Sequence, residues 1–414
     1  MPLSHSSSEG TILRRHASPF AAVVLALLVA AGAGTAYALL GSGSSAPDRG
    51  GATASGRPSG AWDACKQPIL GTGSTVPPER VGRWPFRVAA RGVFGAMAAA
   101  PGGGAFALQA CGADESALRV VRFGADGRPL AVSRLFEGAA LLASGMGTTS
   151  AALFVVTAHL SLTPGSLLPY ELVVFRLNPE TLDVESSVGL GRGDDARLVT
   201  VGRGVLVSTG PVLYGLSPTP SGRVSRAELA GMSPAVVTHL AFDPTSGLAA
   251  LSTLVPGATG GSSAELETLR VKESADHVPI AASFSARRPL SAGVSVQSLA
   301  AARGVAFYAA GGFSTVTYSA PLASLDPASP LPGGTTLGEV GLAASGGTVY
   351  VFSAASVFCT VDSSGVEVAS TKPSGQAEYL TAMLPAVSTA WVETAGGIGQ
   401  LTLPPRCGRA AGRA

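Results

Sequence analysis

The hydrophobic positions of the chain form two patterns, one long uninterrupted run near the N-terminus and many short runs after it. The long run covers 20–40, contains no charged residue, and is preceded by Arg14 and Arg15. About 20 apolar residues is the length of a helix that crosses a bilayer, and arginines before such a run keep the N-terminus in the cytoplasm. The pattern predicts a cytoplasmic segment at 1–19, a transmembrane helix or signal h-region at 20–40, and translocation of everything that follows.

Two fates of this leader remain open. Ala36-Tyr37-Ala38 has the small-x-small form that signal peptidase accepts. The apolar run, however, is longer than the usual h-region and continues through Leu40, which favours an anchor. We therefore expect a protein that is membrane-anchored with its domain outside the cytoplasm, or secreted if it is cleaved after Ala38. A flexible Gly/Ser/Pro-rich linker is predicted at 41–60 and a disordered tail at 408–414.

The short runs in the body, 61–407, recur as a unit. One copy reads GRGVLVST (202–209), PVLYGL (211–216) and SPTPSGRV (217–224): an apolar strand, a second strand, and a turn into a third. The first such strands begin near positions 105, 152, 204, 248, 305, 348 and 389. A four-stranded propeller blade takes roughly 40–50 residues, which is close to these intervals.

This pattern resembles an exported bacterial β-propeller repeat protein with seven blades, similar to WD40 and quinoprotein propellers in spacing. No family motif supports the resemblance, because the Trp-Asp of WD40 blades and the tryptophan docking motif of quinoprotein blades are absent. The resemblance implies that the N-terminal segment pairs with the last blade to close the ring. A pair of β-sandwiches is the competing architecture.

The composition supports an all-β fold. Hydrophobic residues make up 46% of the chain and charged residues 13%, with Gly 54 and Pro 29. This is enough apolar surface for a core, but too little charge for the outer faces of long amphipathic helices. The composition therefore favours many short strands separated by turns.

Charge excludes one class of partner. Four basic and two acidic residues lie in 1–60, so the rest of the chain carries 24 of each. A neutral body lacks the clustered cations that nucleic acids require, and we expect no nucleic-acid binding. Only three lysines occur among the cations, Lys66, Lys272 and Lys372, and such arginine-rich usage is typical of a GC-rich bacterial genome.

Two long insertions locate a candidate binding surface. They lie between the second and third strands of their repeats, at 159–170 and 253–263, and such connections open onto one face of a propeller. Exposed leucines and an aromatic residue there would form an apolar patch, which usually marks a contact with a partner. The alternative is that these side chains fold back onto their own blades. The predicted binding residues are Leu162, Leu167, Tyr170 and Leu254, with Leu160 and Leu168 beside them.

The four cysteines, Cys65, Cys111, Cys359 and Cys407, predict two disulfides in a translocated domain. We predict the ring-closing pairing, Cys65–Cys407 with Cys111–Cys359. The alternative, Cys65–Cys111 with Cys359–Cys407, keeps both bridges local. No C-x-x-C pair occurs, so these residues do not predict a metal site.

No catalytic motif is present in the sequence. It has no G-x-S-x-G, S-x-x-K or H-E-x-x-H, and His159, His239 and His277 fall in separate repeats. We predict no catalytic residue, metal or cofactor. The sequence favours a binding or scaffold module for an envelope or extracellular protein, tethered to the membrane by its N-terminal helix. A propeller-type hydrolase, lyase or cofactor-dependent oxidoreductase, and a purely structural envelope protein, are the alternatives.

Overall fold

The structure is a computed structural model, and it describes the chain from 80 to 403 with internal gaps. The gaps are 82–83, 112–115, 162–167, 220–222, 232–234, 258–261, 292, 312–313, 338–339, 346, 354–355, 361–368, 371–379, 386–388 and 395–396. The predicted leader, linker and C-terminal tail, with Cys65 and Cys407, lie outside the described residues. Within them, no helix is long and apolar enough to cross a bilayer. Apart from Pro256, Gly257 and Ser262, the described residues lie in the compact unit made of 58–255 and 263–414.

The described residues are almost entirely β-structure, with one 3-10 turn at Pro101–Gly103. The strands of the first half are β1 (Arg80–Val81), β2 (Trp84–Arg91), β3 (Phe94–Ala100), β4 (Gly104–Cys111), β5 (Ala117–Phe123), β6 (Pro129–Val132), β7 (Phe136–Glu137), β8 (Gly145–Thr148), β9 (Leu153–Leu160), β10 (Tyr170–Leu177), β11 (Val184–Gly193), β12 (Arg197–Val201), β13 (Gly204–Ser208), β14 (Val212–Pro218) and β15 (Val224–Gly231). The strands of the second half are β16 (Val236–Asp243), β17 (Leu248–Pro256), β18 (Ser262–Glu273), β19 (Pro279–Pro289), β20 (Ser295–Ala302), β21 (Val305–Gly311), β22 (Ser314–Pro321), β23 (Ser329–Leu337), β24 (Val340–Ser345), β25 (Thr348–Ser353), β26 (Ser356–Thr360), β27 (Ala369–Ser370), β28 (Leu380–Pro385), β29 (Thr389–Thr394) and β30 (Gly397–Thr402).

Six of the sheets are each built from consecutive antiparallel strands: β3–β6 with β7 on β5, β8–β11, β12–β15, β16–β19, β20–β23 and β24–β27. Tight turns produce this order. Arg303 and Gly304, for example, join β20 to β21 with φ of 52° and 77°. Two consecutive positive φ values form the hairpin turn whose twist matches that of the strands it joins.

A composite sheet joins the two ends of the domain in the order β1-β2-β30-β29-β28. Phe86 of β2 pairs with Leu401 of β30, so a strand from the start of the domain covers the edge of its last strand. An uncovered strand edge would invite pairing with other chains. The composite sheet removes that edge.

The innermost strands contact one another in the order β3, β8, β12, β16, β20, β24 and β28, and β28 contacts β3 in turn. The fold is therefore an all-β propeller, as the repeats predict, and not a pair of β-sandwiches. The predicted blade number differs from the structure, because six sheets are complete blades of consecutive strands. The last predicted repeat, 388–403, supplies only β29 and β30 of a sheet that is completed from the other end of the domain.

The core lies between neighbouring sheets. Phe106 and Leu108 of β4 pack with Leu153 and Val155 of β9 in one such layer. The second strand of a sheet is buried on both faces, as in β9, where the first six residues are inaccessible to solvent. A strand buried on both faces reads as a continuous apolar run, which is why these strands stand out in the sequence.

Candidate functional site

One side of the sheets carries the described flanks of both predicted insertions, Leu160, Tyr170 and Leu254, and a group of polar side chains. Each innermost strand begins there and each second strand ends there, as the pairs Arg197 with Ser208 and Val236 with Leu254 show. We call this side the loop face. It is the side from which second strands lead to third strands and from which one sheet leads to the next.

The polar cluster, defined as Asp194, Asp195, Arg197, His239 and Gln297, draws on three consecutive sheets at the loop face. Arg197 Nε and Nη2 lie 2.8 and 2.7 Å from Asp195 Oδ2. The other carboxylate oxygen of Asp195, Oδ1, is sealed from solvent and has no hydrogen-bond partner in the part of the chain that the structure describes. A buried acceptor without a donor is costly, so this oxygen lowers the stability of the fold.

A glycine makes room for the neighbouring carboxylate. Asp194 Oδ1 accepts a hydrogen bond from the Asp195 backbone N–H at 3.1 Å. Gly210 lies against it with φ of 90°, and a Cβ there would be 2.2 Å from Asp194 Oδ1. The carbonyl of Gly210 accepts from the Val237 N–H at 3.1 Å, which ties this hairpin to β16. Position 210 therefore requires a glycine, because its φ is positive and because Asp194 approaches it closely.

A β-bulge sets the direction of the His239 side chain. The register of β16 on β17 shifts at Thr238, so that Val237 pairs with Thr253 and His239 with Ser252. Bulges re-aim side chains and are frequent near functional sites. The imidazole Nδ1 lies 2.9 Å from Ser252 Oγ, and the hydroxyls of Thr238 and Ser252 are 2.6 Å apart.

A histidine beside a serine hydroxyl has the spacing of a nucleophile and its base. Here, however, Ser252 is completely inaccessible to solvent. Its hydroxyl cannot meet a substrate in this conformation, so the pair serves to orient His239.

Gln297 occupies a second bulge, between Val296 and Ser298 of β20. Its side-chain oxygen accepts hydrogen bonds from Thr315 Oγ1 at 3.1 Å and from the Val340 N–H at 3.2 Å. The backbone of Gln297 also hydrogen-bonds His239. Gln297 therefore connects β20 to the strands β16, β22 and β24.

The electrostatics of the polar cluster follow from its burial. Burial raises the pKa of Asp195 to about 6 although Arg197 opposes the shift, and burial also raises the pKa of Asp194. Burial, with a contribution from Arg197, lowers the pKa of His239 to about 4, while its hydrogen bond to the Gln297 backbone acts in the other direction. At neutral pH the imidazole of His239 is neutral and the carboxyl of Asp195 is mostly ionised beside the guanidinium of Arg197.

The predicted binding residues are placed as follows. Leu162 and Leu167 lie outside the described residues. Tyr170 is half-buried, pairs with Leu160 and packs against the core between the sheets β8–β11 and β12–β15. Leu160 and Leu254 are 60% and 37% exposed at the loop face.

Of the cysteines, Cys111 is disulfide-bonded and buried at the end of β4. Cys359 lies in β26. Both predicted pairings contain a cysteine outside the described residues and stay predictions. The described residues contain no group of three or more His, Cys, Asp or Glu side chains that could hold a metal ion.

The site residues predicted from the sequence do not include the polar cluster. Two signals were available in the innermost strands, where a polar residue interrupts an apolar run: Thr238-His239 in VVTHLAF and Gln297 in VSVQSLAAA. A third was the acidic pair of Asp194 and Asp195 directly before β12. None of them forms a motif, because the residues meet only through the ring.

Comparisons with known proteins identify no family for this chain. No family model matches the chain, and no curated protein matches it. Among solved structures, the crystal structure of BamB from Moraxella catarrhalis is similar at 11% identity, with a TM-score of 0.44, over 75% of this chain and 85% of that one. A likeness at this level says nothing about the function of this chain.

Proposed function

We propose that this protein is an exported propeller that binds an envelope or extracellular protein through its loop face and acts as a scaffold. The ring of this propeller closes through the composite sheet, because β28 contacts both β24 and β3.

One observation carries the proposal: consecutive sheets present exposed leucines and the polar cluster on the same side. Leu160 comes from β8–β11, Asp195 and Arg197 from the start of β12–β15, and His239 and Leu254 from β16–β19. Protein interfaces combine apolar anchors with a few fixed polar groups. This face offers both.

The proposed location outside the cytoplasm has support from Cys111. Structural disulfides persist in oxidising compartments and are rare in the cytosol, and Cys111 is disulfide-bonded. The apolar run at 20–40 and the linker at 41–60 fit a domain held near the outer side of the membrane. Binding at the loop face would then leave the opposite side free for other contacts.

Site-specific photocrosslinking in intact cells tests the proposal. A photoreactive side chain at Leu160 or Leu254 is expected to trap the same partner protein. The control position is Leu130 of β6, which is 57% exposed but lies near the opposite side of its sheet. The double variant Arg197→Ala, His239→Ala is expected to reduce crosslinking at Leu160 and Leu254 at least tenfold. Equal crosslinking at Leu130, or no effect of the double variant, would contradict binding at the loop face.

A further inference from the structure

Arg119 and Gln109 form a buried cross-strand pair at the loop-face end of β4 and β5. The two residues are direct partners in the β4–β5 register, and they are 5% and 2% exposed. Arg119 Nε donates a hydrogen bond to Gln109 Oε1 at 2.8 Å. The pair lies in a sheet that contributes nothing to the polar cluster described above.

Arg119 has no counter-ion in the part of the chain that the structure describes. Burial lowers the pKa of Arg119, and no acidic side chain acts in the other direction. Other arginines of the domain are matched with carboxylates: Arg122 with Glu180, Arg176 with Glu185, Arg197 with Asp195, Arg287 with Glu267 and Arg288 with Asp326. A guanidinium stays protonated even when buried, and burying it without a partner is expensive. Arg119 therefore carries a charge that the described residues leave uncompensated.

The hydrogen-bonding groups of this pair that have no partner among the described residues are all donors. Gln109 Oε1 already accepts from Arg119. The terminal nitrogens of Arg119 and Gln109 Nε2 have no acceptor among the described residues, and they are not among the atoms sealed from solvent without a partner. Gly92 lies beside this amide with φ of 127°, and a Cβ there would come within 3.2 Å of Gln109 Nε2. The absence of a side chain at Gly92 keeps the amide donor open.

We propose that Arg119 and Gln109 form a binding site for an oxyanion, a carboxylate or phosphate group. The two terminal nitrogens of a guanidinium match two oxygens of such a group in a fork. Gln109 fixes the guanidinium through Nε, so the fork is held in position before the anion arrives. The anion supplies the missing charge and the missing acceptors together.

Thermal unfolding of the full chain at pH 7 tests this site with three sodium salts at matched ionic strength: phosphate, acetate and chloride. An anion that binds only the folded protein raises Tm with its concentration. We expect phosphate or acetate to raise Tm above the chloride curve. The more effective of the two identifies the oxyanion.

Two variants connect the response to this pair. Gln109→Glu places a carboxylate beside Arg119, so we expect a higher Tm without added oxyanion and no further rise with it. Arg119→Met removes the charge but keeps the packing volume, and we expect the oxyanion response to weaken at least tenfold in Kd. The matched control is Arg270→Met at an exposed arginine of β18, which should respond like the unaltered protein.

Two results would overturn the proposal. One is an equal effect of all three salts, which would indicate ionic strength alone. The other is an oxyanion response that persists in Gln109→Glu. The second result decides the question even if Arg119→Met fails to fold, because Gln109→Glu retains the guanidinium.

Discussion

The carboxylate of Asp243 accepts a hydrogen bond from the backbone N–H of Gly304, with its Oδ2 2.6 Å from the nitrogen. Its Oδ1 accepts from the Arg303 N–H at 3.2 Å, and within its own turn it accepts from Thr245 and Ser246. Asp243 is buried. One side chain therefore joins the first turn of the sheet β16–β19 to the first turn of the sheet β20–β23.

We expect Asp243→Asn to lower the free energy of unfolding by about 2–3 kcal/mol at pH 7, because it loses the charge and one of two acceptor oxygens. Burial acts to raise the pKa of Asp243, but its hydrogen bonds to Ser246, Gly304 and Thr245 outweigh it and the pKa is lowered. A lowered folded-state pKa means stability that is present above the unfolded value and is lost as the pH falls through the folded value. Urea unfolding of both proteins at a series of pH values should show that the difference between their free energies of unfolding becomes smaller as the pH falls from 7.

The control for Asp243 is Asp126→Asn. Asp126 is exposed and accepts from the Arg128 N–H within a single turn, so we expect a loss below about 1 kcal/mol. A similar loss for both variants would contradict the role of Asp243 between sheets.

The composite sheet depends on Trp391. Its indole Nε1 donates to the Gly103 carbonyl at 3.3 Å, and its ring lies 5.4 Å from that of Phe123, between centroids. Trp391→Ala should cost about 3–5 kcal/mol by leaving a cavity where the ring closes. Trp391→Phe keeps an aromatic ring and should cost clearly less. Chemical denaturation measures both, and an unchanged midpoint for Trp391→Ala would show that this contact does not stabilise the closure.

The fold was predictable because each second strand is buried on both faces. The runs AALFVVTA (151–158) and GRGVLVST (202–209) therefore stand out as continuous apolar segments, and their regular return indicates radial sheets. The blade count was less predictable. Strands such as Arg80–Val81 and Trp84–Arg91 complete a sheet with partners some 300 positions away, and local periodicity does not register such long-range pairing.

The candidate site was not predictable in the same way. Arg197 and His239 belong to different repeats, and only the ring brings them together. Thr238 and Gln297 interrupt the apolar pattern of their strands, because a bulge adds one residue to a strand and breaks the alternation of its side chains. The exposure of Leu254 was predictable from the sequence, because it is a local property of a leucine beside a turn, and its role in binding stays a prediction.

The disulfide pairing can be tested directly. Cys111 lies in the sheet β3–β6 and Cys359 in the sheet β24–β27, and the innermost strand of the composite sheet contacts the innermost strands of both. Disulfide cysteines require a Cα separation of about 4.4–6.8 Å, which two sheets separated by a third do not offer. Of the two pairings predicted from the sequence, we therefore expect the local alternative, Cys65–Cys111 with Cys359–Cys407, and not the ring-closing one.

Proteolysis without reduction, followed by mass spectrometry, reads the pairing. Cys359→Ser should leave the peptide that joins Cys65 to Cys111 intact. A peptide joining Cys111 to Cys359 would instead support the ring-closing alternative.

Asp195 is expected to change the stability with pH in the direction opposite to Asp243, because its pKa is raised and not lowered. Aspartate titrates near 3.9 in unfolded chains, whereas burial raises the pKa of Asp195 to about 6. Between these values the folded protein holds more protons than the unfolded chain, so the free energy of unfolding falls as the pH rises from about 4 to 6. Asp195→Asn removes this titration, and its lost ion pair with the partly exposed Arg197 is worth little.

We expect Asp195→Asn to be more stable than the unaltered protein by about 1–2 kcal/mol at pH 7, a value reduced for the 18% exposure of the side chain. At pH 4 the two proteins should be equally stable, because Asp195 is then protonated in the fold. Urea unfolding at both pH values measures the difference, and Asp276→Asn at an exposed turn should have little effect at either. A variant that is less stable at pH 7 would show that the carboxylate of Asp195 is compensated by its surroundings.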